Sequence, residues 1–471
     1  MSLLKNAGFN FLGAAVPAVV SLATLPYIVK QLGADDYGLL VIITSIVGYF
    51  ALLDINVTAG STKYVSGFYA SGDRAKVNQT ISFGLIVYGV IGFVGMGFIF
   101  LLSDYLVTSV FSVSQAKKSE VVSAIEWAAV GFFVGQIQTY VQSLPGALMR
   151  YDISGRVEAL FGFFLPIFTV SLLYFGYGLV ELVILRVAMS VVQITLVSVA
   201  LKAVYPDISW MSPEVSVRHA LLSFSAYSFL SRIAAITYSH VDKLIIGARI
   251  GASSVTHYSV PATLSNRVMS LIFRLAGVMF PHASALASRG ELGRLREDYL
   301  LATRLIFYVN GAAALVLCLL SKPLLSLWLG PEFSAAGFLV MSMIAAAQWI
   351  DSATNLPSMV NDAMGHPKVT GFFAISRALV GLSFILAGVE FFGINGAAGG
   401  HLIASFIMTV IFIHFVHGRT VPIDLLSVVT HGYLPSSFSL CFVGFLNWLC
   451  PPLAGDMLWD FMIRLFGIFF L

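Results

Sequence analysis

Positive charge placed at helical spacing inside long apolar stretches is the feature of this chain that could do chemistry. Over 219–246, Ser225, Ser228, Arg232, Ser239 and Lys243 fall along one side of a helix with about 3.6 residues per turn. Thr263, Asn266, Arg267, Ser270 and Arg274 do the same over 254–282, and Gln348, Asp351, Asn355 and Asp362 from 335 onward. Gln136, Thr139 and Ser143 repeat the Gln348, Asp351 and Asn355 pattern earlier in the chain. Asn6, Asn10, Pro17 and Ser21 share a side near the start, and Asp54, Thr58, Ser61 and Thr62 follow a second apolar run. A charge in hydrocarbon costs a few kcal/mol at mid-helix, so such residues are functional candidates until a partner is found.

Arg232, Lys243, Arg267 and Arg274 outnumber Asp242, their one clear acidic neighbour. A surplus of inward-facing cations asks for an anion, and a phosphate suits the guanidinium fork. Arg377 and Arg186 are also predicted inside helices, where each either lines the cavity or snorkels or pairs, and Arg377 is assigned to the same cationic cavity. Asn10, Gln136, Ser143, Asn266, Gln348 and Asn355 are the expected polar lining. The plainer reading of each is an interhelical hydrogen bond that only fixes packing. Asp54, Asp242 and Asp351 are candidates for binding a coupling ion, H+ or Na+, against the alternative of a local ion pair. The histidines show no ligand spacing, and Cys318, Cys441 and Cys450 sit in apolar stretches as packing residues. No metal, cofactor or P-loop is expected. A net charge of +3 without a basic run argues against nucleic acid as a partner.

The elements that must carry these residues are transmembrane helices. The chain has 471 residues, of which 58% are apolar and 10% charged, against about 25% charged in an ordinary soluble domain. Apolar runs of about 20 residues recur. They predict helices over 9–30, 38–60, 80–102, 121–147, 159–176, 179–201, 219–246, 254–282, 299–320, 335–361, 369–390 and 395–416, with two more at 425–449 and 457–471. Lys and Arg concentrate in alternate short loops, around Lys63, Arg74, Arg150, Arg218, Arg294 and Lys368, which places the N-terminus in the cytoplasm.

The expected organisation is two related six-helix bundles, 1–201 and 219–417, joined by a polar cytoplasmic linker at 202–218 and followed by an extra helix pair over 418–471. Leu32-Gly33-Ala34 matches Ile250-Gly251-Ala252, and Leu101-Leu102-Ser103 matches Leu319-Leu320-Ser321, both 218 residues apart. Leu144-Pro145 matches Leu356-Pro357 at a spacing of 212. Internal repeats of this kind are typical of transporters, which place the substrate between them. Prolines at 17, 26, 145, 166, 261, 281 and 357 would kink or end helices. No loop is long enough for a soluble enzyme domain, so the chain reads as a transporter and not an enzyme.

Several stretches carry a resemblance: LPYIVKQLGADDYGLL at 25–40, YFALLDINVTAGSTKYVS at 49–66, VDKLIIGARIGASSVTHYSVPATL at 241–264, LSLWLGPEFSAA at 325–336 and NLPSMVNDAMGHPKVTGF at 355–372. In order and spacing they resemble the polysaccharide transporter family, the O-antigen and exopolysaccharide flippases. That superfamily also holds the multidrug and toxin exporters and the lipid II flippases. The resemblance implies an all-α, V-shaped transporter of about 12–14 transmembrane helices in a bacterial cytoplasmic (inner) membrane. It implies alternating access driven by an ion gradient, as in an antiporter. The cargo would be a polyprenyl-pyrophosphate-linked oligosaccharide, with membrane lipid and other polysaccharide-assembly membrane proteins as neighbours. Arg232, Lys243, Arg267 and Arg274 would then attract the pyrophosphate or acidic sugars. Relatives usually carry Gly after the Asp of the second helix, where this chain has Asp54-Ile55-Asn56. The rivals are a lipid II flippase, whose cargo is also a pyrophosphate, and a multidrug exporter, whose site for organic cations should be acidic.

Overall fold

The structure, a computed structural model, describes the backbone of residues 3–54, 56–111, 113–276, 289 and 291–449. Within that set, side chains are described except at 3–16, 223–235, 238, 270–276, 292 and 446–449. Among the described residues the regular structure is all helical. The first helices are α1 (Leu3–Phe50), α2 (Val57–Ala70), α3 (Arg74–Tyr105), α4 (Lys118–Ala147), α5 (Tyr151–Tyr174), α6 (Leu179–Val204) and α7 (Val215–Arg249). They are followed by α8 (Ala252–Ala276), α9 (Leu292–Leu319), α10 (Ser321–Leu329), α11 (Pro331–Ser352), α12 (Asn355–Ala363), α13 (Pro367–Arg419) and α14 (Leu434–Leu449). Nine stretches among the described residues are long and apolar enough to cross a membrane. Their outward faces are apolar, as with Phe93, Phe98 and Leu101 on α3 and Phe391, Phe392 and Phe406 on α13, the pattern of a lipid-facing surface.

Local signals set the helix ends. The Asp73 carboxylate accepts the Lys76 N–H and caps α3, which holds its pKa below the usual carboxylate range. Pro331 and Pro367 open α11 and α13, where a missing N–H costs nothing. The Lys117 ammonium, just before α4, bonds Asp36 and is raised in pKa by that bond.

At 53 residues and about 1.5 Å per residue, α13 would be about 80 Å long, far beyond the roughly 30 Å hydrocarbon core. It is a hairpin. Gly393 adopts φ 60 and ψ −138, a conformation open only to glycine, and the two arms fold back on each other. A Cβ on Gly396 would lie 1.8 Å from the Gly388 carbonyl oxygen, and one on Gly400 would lie 2.7 Å from the Phe384 backbone. Small residues thus let the two backbones touch. The sequence-predicted division into 369–390 and 395–416 falls at this turn. Residues 3–50 are divided in the same way at Gly33 (φ 78).

The duplication is visible in backbone geometry. Met149 (φ 59) accepts a turn in which its N–H reaches the Gly146 carbonyl and the Arg150 N–H reaches the Pro145 carbonyl. Gly365 (φ 92) sits in the same turn 216 residues later, with Gly365 N–H to Asp362 and His366 N–H to Asn361. Gly33 and Gly251 both have positive φ, as do Gly176 and Gly393, at spacings of 218 and 217.

By packing, the chain divides into compact units Met1–Ser253 and Ser254–Leu471. In the first, α7 lies against α1, α2 and α3, with Gly48 against the His240 ring and Gly247 against Ile42. The core of that unit gathers Val57, Val77, Tyr88, Tyr140, Leu144, Val197 and Leu201. In the second, Leu295, Tyr299, Leu356, Val360, Phe412 and Val416 form one core, and Met269, Leu317, Leu325 and Met341 another.

The structure departs from the sequence-based helices at their starts, with α3, α5 and α9 beginning six to eight residues early, and in their interruptions. The helix expected over 38–60 is broken across 51–56, and the one over 335–361 is broken at Ala353-Thr354. A short α10 stands between α9 and α11, and a π-helical turn at Val428–Tyr433 precedes α14. Hydropathy averaged over a window does not register such interruptions, because the flanking apolar residues dominate it. The helix expected at 457–471 lies outside the described residues.

Candidate functional site

The polar residues of the second unit form two groups. At the end of α11, Asp351 is held by Arg377 from the first arm of α13. Arg377 Nη2 donates to Oδ2 at 2.8 Å, and Nε approaches Oδ1 at 3.3 Å. Ser405, from the second arm, accepts from Arg377 Nη2 at 2.6 Å and donates to Asp351 Oδ2 at 3.1 Å. Two residues assigned to different roles, anion binding and ion coupling, are therefore bonded to each other. The hairpin at Gly393 is what brings Arg377 and Ser405 to one place.

The second group joins α8 to α11. Gln348 Nε2 donates to Asn266 Oδ1 at 2.6 Å. Arg267, the next residue along α8, is exposed. Asn355 is half-buried at the start of α12. Asp362, at the end of the same stripe, accepts from Thr370 at 2.6 Å and belongs to the turn that Asn361 closes by donating to the His366 carbonyl at 2.8 Å.

In the first unit, Asp54 is fully buried where α1 gives way to α2. It accepts the Tyr88 hydroxyl of α3 and the Asn56 N–H, both at 2.8 Å. Tyr88 stacks on Tyr140 of α4 with ring centroids 5.2 Å apart, and Tyr140 reaches Ser61 and the Thr80 carbonyl. Gly84 makes room for the Tyr140 ring, since a Cβ there would lie 2.0 Å from Cζ. Gln136 is buried, and its Oε1 has no hydrogen-bond partner among the described residues. Ser143 turns back to donate to the Tyr140 carbonyl. Asp242 is buried on α7 with Lys243 Nζ 3.6 Å away, and Lys243 also donates to the Ser239 carbonyl at 2.5 Å. Asn10, Arg232 and Arg274 lie outside the described side chains.

Sequence reasoning missed Tyr88, Tyr140 and Ser405. The tyrosines lie in apolar runs where an aromatic reads as packing. Ser405 is a lone hydroxyl in a run of Leu, Ile, Ala and Phe. The one available signal was that a carboxylate in such a run must find donors.

The described helices form a transporter fold. A multidrug resistance MATE family transporter in its inward-facing conformation superposes with a TM-score of 0.76 at 13% identity, covering 89% of this chain and 99% of that one. The lipid II flippase MurJ, inward closed, gives 0.75 at 11% identity over 99% of this chain and 96% of that one. The family profile of polysaccharide biosynthesis proteins matches residues 29–337, and the chain belongs to that family. A candidate O-antigen transporter of Shigella flexneri is 21% identical over 411 residues, 84% of this chain and 94% of that protein.

Proposed function

We propose that the protein flips a polyprenyl-pyrophosphate-linked oligosaccharide, an O-antigen or exopolysaccharide repeat unit, from the cytoplasmic to the outer leaflet by alternating access. The observation that carries this reading is Arg267, exposed on α8, in a chain of the polysaccharide biosynthesis family. An exposed guanidinium suits a diphosphate or an acidic sugar, and does not suit an organic cation. The fold shared with a lipid II flippase and the relative in O-antigen transport support the same class of cargo. The lipid tail stays in the bilayer while the headgroup crosses. The chain carries no nucleotide-binding loop, so the driving force is an ion gradient. The excess of Lys and Arg in alternate loops supports a cytoplasmic N-terminus.

The test is translocation in proteoliposomes with a pyrophosphate-linked oligosaccharide lipid and an imposed ion gradient. Headgroup appears in the opposite leaflet with the native protein, and Arg267→Ala slows it about tenfold or more, the loss expected for one charge-assisted contact. Native-rate flipping by Arg267→Ala would remove the cationic site from the reading. Efflux of cationic dyes without headgroup movement would make the protein a drug exporter instead.

A further inference from the structure

We infer that Tyr433 is a positioning residue: its hydroxyl closes the helix break between α11 and α12 and so fixes the polar face that runs through that break. What this does to flipping rests on the transport reading above. The hold on the break does not, and it is measured without cargo.

The break starts from one residue. Pro357 has no N–H, so the carbonyl four residues earlier, at Ala353, loses its helical partner. Helix α11 ends at Ser352 and α12 begins at Asn355. Between them the chain tightens, with the Ala353 N–H on the Ile350 carbonyl at 3.1 Å and the Thr354 N–H on the Asp351 carbonyl at 2.9 Å. Among the described residues no backbone N–H outside regular helix reaches the Ala353 carbonyl. Ala353 is buried, where an unpaired carbonyl is costly. A proline is tolerated in a membrane crossing when a neighbouring group satisfies the carbonyl it frees. Tyr433 does this: its hydroxyl donates to the Ala353 carbonyl at 2.8 Å, from 80 residues further along the chain.

The segment after α13 is shaped to deliver that hydroxyl. Residues Val428–Tyr433 form a π-helical turn, a rare winding found mostly at functional sites, and Tyr433 is its last residue. Gly432 lets the turn close on α9, since a Cβ there would lie 3.1 Å from Thr303 Cγ2. Before the turn, Arg296 Nη2 of α9 donates to Ser427 Oγ at 2.8 Å. After it, Ser436 Oγ donates to the Arg304 carbonyl of α9 at 3.1 Å. The Tyr433 ring meets Phe307 edge-on, with centroids 5.0 Å apart, over a small core of Phe307, Ala353 and Ile413. A phenylalanine at 433 would keep all of this packing. The bond to the carbonyl is what sets tyrosine apart.

The break divides one polar face. Gln348 and Asp351 precede it on α11, and Asn355 follows it on α12. Gln348 is tied to Asn266, and Asp351 to Arg377 and Ser405. The angle at the break therefore sets where Asn355 stands relative to those two tied groups. Tyr433 holds that angle from a segment that carries none of the polar face.

The test is hydrogen–deuterium exchange of full-length protein in detergent, read by mass spectrometry over 349–363. Tyr433→Phe should speed exchange there about tenfold, the loss expected when a buried acceptor is left unpaired. Pro357→Ala restores an N–H for the Ala353 carbonyl, so in that background Tyr433→Phe should change exchange by less than about twofold. In proteoliposomes Tyr433→Phe should lower kcat for headgroup movement by up to about tenfold and leave KM unchanged, because the hydroxyl orients the face and does not touch cargo. Native exchange over 349–363 in Tyr433→Phe overturns the inference. So does an equal effect of Tyr433→Phe in both proline backgrounds, or a raised KM with native kcat. Should Tyr433→Phe fold poorly, Pro357→Ala must rescue it, and failure to rescue also overturns the inference. A failed flipping assay beside hydroxyl-dependent exchange would sink the cargo and leave the brace standing.

Discussion

The triad of Asp351, Arg377 and Ser405 allows a quantitative prediction. Arg377 and Asp351 side chains retain only 15% and 26% exposure, and a two-point ion pair joins them with Ser405 bridging both partners. Removing one member of a buried pair strands the other charge at about 3–5 kcal/mol. Asp351 keeps a quarter of its surface accessible, so we expect about 2–3 kcal/mol for Asp351→Asn. Arg377→Gln should cost about the same by stranding the carboxylate. In the double variant two amides face each other, able to bond, and no charge is left over. The cycle should then give a coupling of about 2 kcal/mol, some thirtyfold in the unfolding equilibrium. The assay is reversible unfolding in mixed micelles. The readout is Trp349 fluorescence, two residues from Asp351 and anchored by its Nε1 bond to the Phe307 carbonyl. Single effects that simply add, within about 0.5 kcal/mol, would refute the pair as an energetic unit.

Three further outcomes follow from the fold. Gly396→Val should unfold or open the α13 hairpin, since its Cβ meets backbone at 1.8 Å, and should cost at least about 1–3 kcal/mol; Gly399→Ala, whose Cβ would find its nearest neighbour, Met343 Sδ, at 3.9 Å, should be close to neutral in the same titration. The bond from Lys76 N–H favours ionised Asp73, so its folded pKa lies below the unfolded one. Its stabilisation of the start of α3 is therefore complete above the usual carboxylate range and fades as pH falls through the lowered value; hydrogen exchange at the first turn of α3 should speed up on acidification in the native chain and be fast and pH-insensitive, after correction for intrinsic rates, in Asp73→Ala. In a cysteine-free background, Gln115→Cys should label with an impermeant maleimide from outside the cell and Arg294→Cys only from inside, and the reverse pattern would invert the proposed topology.

Much of the fold was legible because lipid imposes a simple rule. A crossing needs about 20 apolar residues, and each polar gap between such runs is a turn. The Leu-Gly-Ala and Ile-Gly-Ala pair proved to mark equivalent positive-φ positions at Gly33 and Gly251. What could not be read was structure inside a crossing. The break at 51–56 lies within an apolar stretch, and its cause is a set of bonds among Asp54, Asn56, Thr58 and Tyr88 that spans 34 residues. Tyr88 offered no pattern of its own, because an aromatic in a membrane helix usually only packs.

The polar stripes say which residues share a helical face and nothing of what each face meets. Asn266 and Gln348, expected as polar lining, bond each other across α8 and α11, the contact that the plainer interhelical reading describes. Arg377 and Asp351 lie 26 residues apart on separate helices, so a reading along each helix could not name them as partners. The balance has to be drawn over the surfaces that touch. Done that way, Arg377 answers to Asp351, and Lys243 stands beside Asp242. Among the described cations of the expected site, Arg267 carries the most weight for the anion argument, because it is exposed. The cargo hypothesis is therefore tested first at Arg267, the exposed cation of the stripe whose side chain is described.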